Sequence, residues 1–163
     1  MKIVQDKIKD YFRWVNGTEL VELDNIDVSE DPVRPELTLG FRILHGRKIF
    51  GLQYEGEIEA IICIALCPEV PFTVREMDYM SQAANQDGQR GEIVVAYTVW
   101  SRKRGAGREI INKVREFLVS DRVATKRLVT LSPLTPMATH FHINNGAKQI
   151  SINDTTQNFE YAL

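Results

Sequence analysis

The sequence has little of what marks several large classes of protein. It holds only two cysteines, Cys63 and Cys67, so no disulfide framework is expected, and a reducing cytoplasm is the predicted location. Its three histidines are scattered, and we expect no metal site. The formal net charge of -2 gives no electrostatic reason to expect nucleic-acid binding. No apolar run is long enough to span a bilayer, and the N-terminus has no signal-peptide core, so no membrane association is expected.

The chain also lacks repeats and low-complexity tracts. Its hydrophobic fraction of 44% and charged fraction of 26% are typical of a soluble globular protein that can bury a core. A length of 163 residues fits one domain, and residues 1–163 are therefore predicted to fold as a single unit.

The N-terminal half alternates between apolar periodicity and turn residues. An amphipathic helix is predicted over residues 4–15, and the acidic, proline-containing segment 24–36 is interpreted as a solvated surface loop. Residues 72–89 are predicted to form either a helix or a mobile loop on the substrate side. A short strand is predicted over residues 19–23. Three further strands, joined by hairpin-type turns, are predicted over residues 37–44, 48–54 and 59–66.

The C-terminal half has a different order of elements. A strand over residues 92–100 precedes a helix that begins near Ala106. A strand over residues 126–131 precedes a short helix with Pro136 in its first turn. A final hairpin is predicted from strands at 148–152 and 158–163. The whole pattern predicts an α/β fold of the mixed α+β kind, with helices layered on a sheet.

The run from Arg102 to Gly107, Arg-Lys-Arg-Gly-Ala-Gly, lies between a predicted strand and a predicted helix. Glycines allow the backbone to approach an anion, and the unpaired N–H groups of a first helical turn favour negative charge. The spacing matches neither a Walker loop nor a dinucleotide-binding loop. These features favour an anion-binding loop. The plainer alternative is a basic turn that only caps a helix, and the flanking residues have to decide between these two interpretations.

Two motifs together resemble the GNAT superfamily of N-acetyltransferases. Arg102, Gly105 and Gly107 fit the acyl-coenzyme A loop of that family, Arg/Gln-x-x-Gly-x-Gly/Ala. Further on, the chain is similar to the family's Asn-x-x-Ala-x-x-Phe-Tyr and Gly-Phe motif. Ala138, Phe141 and Gly146 match that motif, whereas Thr135, His142 and Ala147 replace its Asn, Tyr and final Phe. The resemblance implies a mostly antiparallel central sheet, splayed at the acyl-CoA site and flanked by helices.

What the resemblance implies about function is transfer of an acetyl group from acetyl-CoA, as co-substrate, to a primary amine. A backbone N–H of the strand at residues 97–99 would polarise the thioester carbonyl, and the basic glycine loop would hold the pyrophosphate. The acceptor amine is not readable from the sequence. The oligomeric state is also left open, with a homodimer as one alternative. The residues implied for coenzyme binding are Tyr97, Thr98, Val99, Arg102, Lys103, Arg104, Gly105, Ala106, Gly107, Arg108 and Thr135.

The resemblance also implies which side chains do the chemistry. Glu92 begins the predicted strand as in histone-type GNAT members, whose glutamate is the general base; apolar neighbours would raise its carboxyl pKa. His142, in place of the family's tyrosine, would supply or relay the proton for the leaving thiolate. Ser132 would bond an acyl or substrate oxygen. The plainer alternatives are a solvent-facing Glu92, a His142 bonded to backbone and a turn-capping Ser132.

A second local similarity supports an alternative reaction. The segments Thr-Leu-Ser-Pro at 130–133 and Phe-His-Ile-Asn-Asn-Gly-Ala at 141–147 resemble motifs of the malonyl-CoA decarboxylase catalytic domain, which shares the GNAT fold. That family assigns catalytic roles to the serine and the histidine, here Ser132 and His142. It also has a long insertion between these motifs, which this sequence does not contain, and a large helical N-terminal domain, which is not expected here. A third alternative is an acyl-CoA-binding module without turnover.

Overall fold

The computed structural model describes residues 17–86, 91–120 and 127–163. The helix predicted over residues 4–15 lies outside the described residues. Within them the chain forms eight strands and four α-helices, with one 3-10 turn at Val28–Glu30. The strands are β1 (Glu19–Leu23), β2 (Lys48–Tyr54), β3 (Glu57–Cys67), β4 (Ile93–Ser101), β5 (Arg127–Thr130), β6 (Ser132–Pro133), β7 (Lys148–Ile152) and β8 (Thr156–Tyr161). The helices are α1 (Leu39–Ile43), α2 (Val74–Gln86), α3 (Ala106–Ser120) and α4 (Pro136–Asn144).

All eight strands join in one sheet, in the order β1-β2-β3-β4-β5-β8-β6, and β7 pairs with β8. Among the described strands, β4 and β5 form the one parallel pair, and the other pairs are antiparallel. The mixed, mostly antiparallel sheet predicted from the sequence is confirmed. The predicted hairpin between β2 and β3 is confirmed as well. Its two turn residues, Glu55 and Gly56, both have positive φ angles, of 49° and 81°, which is the backbone that a two-residue hairpin turn needs.

Hydrophobic side chains cover both faces of the sheet. On one face, Val94 and Ala96 of β4 pack with the apolar side of α3, including Ile110 and Val114. On the other face, Val95 packs in a second cluster with Met77 of α2 and others. Because β4 is covered on both sides, its sequence is a continuous apolar run without polar alternation. The described residues contain no helix long and apolar enough to cross a membrane.

The predicted strand over residues 37–44 is wrong. Residues Leu39–Ile43 form α1, which begins at Thr38, whose hydroxyl accepts a hydrogen bond from the backbone N–H of Phe41 at 3.1 Å. Alternating apolar residues misled the prediction. The deciding contact is tertiary: the fully buried Arg42 donates to the carboxylate of Asp31 and to the carbonyl of Arg34, both at 2.7 Å.

Residues 72–89, for which the sequence allowed either a helix or a loop, contain a helix, α2. Two side chains fix its start. The Thr73 hydroxyl accepts from the N–H of Glu76 at 3.0 Å, and the Glu76 carboxylate accepts from the N–H of Phe72 at 2.9 Å. This arrangement closely resembles a capping box, whose Thr-x-x-Glu signature is present in the sequence. The described part of this segment is therefore helical, and the loop alternative is excluded for it.

Candidate functional site

Strands β4 and β5 separate at the middle of the sheet. They pair in parallel only as far as Ala96 and Thr130, and the next bond runs from the Leu131 N–H to the Ala96 carbonyl at 2.9 Å. Strand β4 continues to Ser101, whereas β5 and then β6 continue along β8. Tyr97 is an extra residue in β4, because Ala96 faces Ile64 and Thr98 faces Cys63. The splay predicted for residues 97–99 is confirmed by this geometry.

A cavity of about 610 Å³ fills the opening between the separated strands. Its volume lies within the range of small-molecule sites. Its wall includes the far half of β4, and its other sides come from β6, from α4 and from the segment before α1. The residues that bear on chemistry at this cavity are Glu30, Val99, Gly107, Ser132, Thr135 and His142.

The open edge of β4 presents backbone groups to the cavity. Trp100 pairs with Ile61 of β3, and the N–H of Arg102 donates to the Glu59 carbonyl of β3 at 2.7 Å. Because backbone groups of a regular strand point alternately to its two neighbours, Val99 directs its N–H and carbonyl to the other edge, where β5 has diverged. An extended ligand placed there can pair with β4 as another strand would.

The glycine loop lies at one end of this cavity, at the N-terminus of α3. Gly105 has a φ of 83°, a conformation that side chains rarely adopt. A Cβ at Gly107 would lie 3.1 Å from Cε2 of the Phe141 ring, so the ring on α4 would have to shift to admit one. The first N–H groups of α3 have no partner within the helix, although that of Ala106 donates to the Lys103 carbonyl at 3.2 Å. Those of Gly107 and Arg108 fit an anion.

Basic side chains of the loop are held by carboxylates in this structure. The Arg102 guanidinium donates through Nε and Nη2 to one oxygen of Glu30, at 3.0 and 2.8 Å. Lys103 donates to the buried carboxylate of Glu59 at 3.3 Å. Arg104 and Arg108 are exposed at the loop and the first turn of α3. The cluster of positive charge predicted from the sequence therefore exists, but part of it is paired with acidic side chains.

His142 lies in the wall of the cavity and is only 6% exposed. Its Nδ1 is 2.7 Å from the Tyr161 hydroxyl, and its ring stacks on that of Phe159. Burial lowers the pKa of His142 to about 4, so only about one imidazole in a thousand is charged at pH 7. The imidazole is therefore a neutral hydrogen-bonding group, and an imidazolium that would directly protonate a thiolate is scarcely populated.

Ser132 and Thr135 line the same cavity as His142. The buried Ser132 hydroxyl donates to the Thr130 hydroxyl at 2.8 Å. Thr135 is the N-cap of α4 and accepts from the Ala138 N–H at 3.3 Å. The helix that the sequence predicts at Pro136 is thus confirmed, and its cap places Thr135 at the cavity. The structure therefore brings together at one cavity Ser132 and His142, the two residues to which the family resemblances assign chemical roles.

Glu92 does not reach this cavity. It is exposed, precedes β4 and is absent from the cavity wall. Thr98 is six residues further along the chain, a distance of about 20 Å at ~3.3 Å per residue in an extended strand. The apolar surroundings expected for its carboxylate are therefore not found, because β4 is buried only from Ile93 onward. The role of Glu92 as a base stays a prediction without geometric support.

Solved structures with a similar fold include two acetyltransferases. An acetyltransferase from Bacillus subtilis in complex with CoA matches with a TM-score of 0.59 at 9% identity, over 90% of this chain and 97% of that one. A GNAT family acetyltransferase from Elizabethkingia anophelis with acetyl-CoA bound matches with a TM-score of 0.50 at 11% identity, over 88% and 94%. No protein-family model matches the chain, and no curated protein does either. The chain has the GNAT acetyltransferase fold.

The GNAT fold of this chain is also similar to part of a larger protein. A malonyl-CoA decarboxylase from Cupriavidus metallidurans matches with a TM-score of 0.52 at 18% identity, over 79% of this chain. The chain spans only 34% of the length of that decarboxylase. Structural matches at such low sequence identity show the fold alone. The chemistry has to be argued from the geometry of the site. The described residues bring no three histidine, cysteine or carboxylate side chains together in a group that could hold a metal ion.

A buried network of hydrogen bonds lies next to the cavity. The sequence did not predict it, because residues 24–36 were interpreted as a solvated loop. Asp31 is 1% exposed and accepts from Arg42, from the Thr98 hydroxyl at 2.8 Å and from the N–H groups of Val33 and Arg34. Burial alone would lower the pKa of Arg42, but its hydrogen bonds to Asp31 and Cys63, together with the charges of these two groups, outweigh this, and the pKa is raised. The interpretation as a solvated loop is wrong for this part, because Asp31 is buried with Arg42 as its counter-ion.

Arg34 connects this network to the separated strands. Its side chain is buried and donates through Nε to the Tyr97 carbonyl at 2.8 Å and through Nη2 to the Leu131 carbonyl at 2.9 Å. One of these carbonyls belongs to β4, and the other follows β5. The guanidinium thus satisfies two backbone acceptors at the point where the strands stop pairing. The only sequence signal was an aspartate and an arginine close to prolines, which predicts a turn but not its burial.

Proposed function

We propose that this protein binds an acyl-coenzyme A and transfers its acetyl group to a primary amine. The observation that carries the proposal is the separation of β4 from β5 beside the N-terminus of α3, which joins an open strand edge to an anion-binding loop. Pantetheine is an extended chain with amide groups, which suits the edge of β4. Its pyrophosphate suits the glycine loop. Solved structures of the same fold that contain CoA or acetyl-CoA support this assignment.

The transfer step needs an electrophile and a route for protons. The amine nitrogen attacks the thioester carbonyl, the C–S bond breaks, and the thiolate takes a proton while the amine loses one. The Val99 N–H at the open edge of β4 is the proposed donor to the developing oxyanion, a kind of contact that contributes several kcal/mol to transition-state stabilisation. Neutral His142 is proposed to orient the sulfur or a water by hydrogen bonding, and Ser132 to bond an acyl oxygen.

Decarboxylation is a second candidate because Ser132 and His142 line the cavity and Glu92 does not. In that reaction the bond from the malonyl methylene to its carboxylate breaks, and carbon dioxide leaves. The electron pair forms a thioester enolate, which is then protonated at carbon. Ser132 and His142 would hold the carboxylate or the enolate oxygen, and no amine or base is needed.

Calorimetry with acetyl-CoA tests the shared part of both candidates. The parent chain should bind, and Arg102→Ala should bind about tenfold less tightly, because one charge-assisted contact to phosphate is lost. Arg75→Ala is the matched control, since Arg75 is exposed on α2 away from the cavity. Absence of binding by the parent would refute both candidates.

Product assays then separate the reactions. Release of CoA thiol from acetyl-CoA that depends on an added amine supports transfer. Release of carbon dioxide from malonyl-CoA without an amine, lost in Ser132→Ala and His142→Phe, supports decarboxylation. Binding without turnover of either substrate across a broad amine panel would support the non-catalytic module.

A further inference from the structure

The contact between Glu30 and Arg102 joins two functional parts of the molecule. Arg102 belongs to the glycine loop, and Glu30 ends the 3-10 turn that follows β1 and lines the cavity. The two side chains are 38% and 43% exposed, and two nitrogens of the guanidinium share one carboxylate oxygen. The backbone of Arg102 is fixed to β3 through the Glu59 carbonyl. Its side chain can therefore change partner without a change in the loop.

A phosphate is a stronger partner for Arg102 than Glu30 is. Exposed ion pairs contribute little to stability, since water competes for both charges. A pyrophosphate bound at the N-terminus of α3 offers several anionic oxygens, and arginine matches their geometry well. Binding of the coenzyme should therefore draw the guanidinium away from Glu30. The carboxylate left behind is the single acid among the described residues that line the cavity.

We infer that coenzyme binding frees Glu30, and that the freed carboxylate binds the ammonium group of the acceptor at the mouth of the cavity. This inference rests on the proposed function and names the class of acceptor, an aliphatic amine that is cationic when it binds. The apolar side chains of Pro32, Val33 and Met137 line the same cavity and suit an aliphatic carbon chain. The binding of coenzyme and of amine is then coupled, because each ligand raises the affinity of the protein for the other.

The first half of the inference predicts the effect of Glu30→Gln on coenzyme affinity. Without its competitor for Arg102, CoA should bind about two- to fivefold more tightly by calorimetry. In an Arg102→Ala background the same substitution should have no such effect, because the ion pair is already absent. Glu36→Gln is the matched control: Glu36 is exposed in the same segment, lies outside the cavity wall and reports general repulsion between acidic residues and the coenzyme.

The second half predicts that an amine binds to the CoA-saturated protein. NMR titrations with n-butylamine and with neutral n-butanol measure this binding. The amine should bind the parent about two- to fivefold more tightly than it binds either the CoA-free parent or CoA-saturated Glu30→Gln. n-Butanol should show neither difference. Amine binding that is undetectable, independent of CoA or unchanged in Glu30→Gln would overturn the inference. So would equal CoA affinities of Glu30→Gln and Glu36→Gln. A different result, no binding of CoA by the parent, would refute the proposed function itself.

Discussion

Replacing Asp31 with asparagine tests whether the buried network holds the segment that lines the cavity. The carboxylate accepts from four donors: the Arg42 guanidinium at 2.7 Å, the Thr98 hydroxyl, and two backbone N–H groups. Asparagine keeps the size but removes the charge, so Arg42, fully buried, loses its counter-ion. Removal of one partner of a buried ion pair costs about 3–5 kcal/mol. The free energy of unfolding, of order 5–15 kcal/mol for a domain, should fall by that amount.

Urea unfolding followed by circular dichroism measures the effect as a lower midpoint at an unchanged slope. Asp24→Asn removes the same charge from an exposed position near the start of the segment and should change the free energy by less than about 0.5 kcal/mol. The double variant Asp31→Asn with Arg42→Met should recover part of the loss, since the uncompensated cation is gone. A loss below about 1 kcal/mol in Asp31→Asn would refute the reasoning.

Four further expectations concern the loop, the histidine and the thiols. Gly107→Ala should weaken CoA binding and cost about 1–3 kcal/mol of stability, because its Cβ meets the Phe141 ring, as calorimetry and urea unfolding will show. Gly105→Ala meets no atom within 4 Å and should cost only the backbone strain of its positive φ, about 1–2 kcal/mol by the same measurements. His142 has a lowered pKa, so the unfolded chain binds a proton that the folded chain does not, and stability should fall as pH drops from about 6.5 to about 4. The fall relative to His142→Phe should approach about 3 kcal/mol, and equal pH dependence of both proteins would contradict it. Burial raises the thiol pKa of Cys63 to about 11 and of Cys67 to about 12, so neither should react with a thiol reagent at pH 8 until the protein unfolds; rapid reaction of the folded protein would contradict the burial.

Local sequence signals were sufficient for much of the fold. The hairpin between β2 and β3 follows from Glu55-Gly56, and the start of α4 follows from Thr135-Pro136. In each case a few neighbouring residues determine the backbone, through a turn or a cap. Strand β4 was predicted to within one residue at each end, because a long apolar run beside a glycine loop is a local pattern. The glycine loop itself was predictable for the same reason.

The errors come from contacts between residues far apart in the chain. Asp31 and Thr98 are 67 residues apart in sequence, and Arg34 and Leu131 are 97 apart. No window of neighbouring residues contains both members of either pair, so the acidic segment looked solvated. Helix α1 looked like a strand because its own residues alternate, whereas the contacts of Arg42 that fix it lie 8 and 11 residues earlier, in that misread segment. The expected burial of Glu92 has a different origin: its apolar neighbours along the chain predicted burial, but the packed part of the strand begins one residue later.

These distant contacts also explain why the sheet opens where it does. Parallel strands with free edges would be expected to continue pairing, since each unpaired buried backbone group is costly. At the opening, the extra residue Tyr97 breaks the register of β4, and the Arg34 guanidinium takes the carbonyls of Tyr97 and Leu131. Further pairing between the strands would have to displace a buried cation that Asp31 helps to hold through the Arg34 N–H. The cavity is thus maintained by the segment before α1, which also carries Glu30. The residues proposed to select the acceptor and those that keep the coenzyme cleft open therefore lie on one stretch of chain.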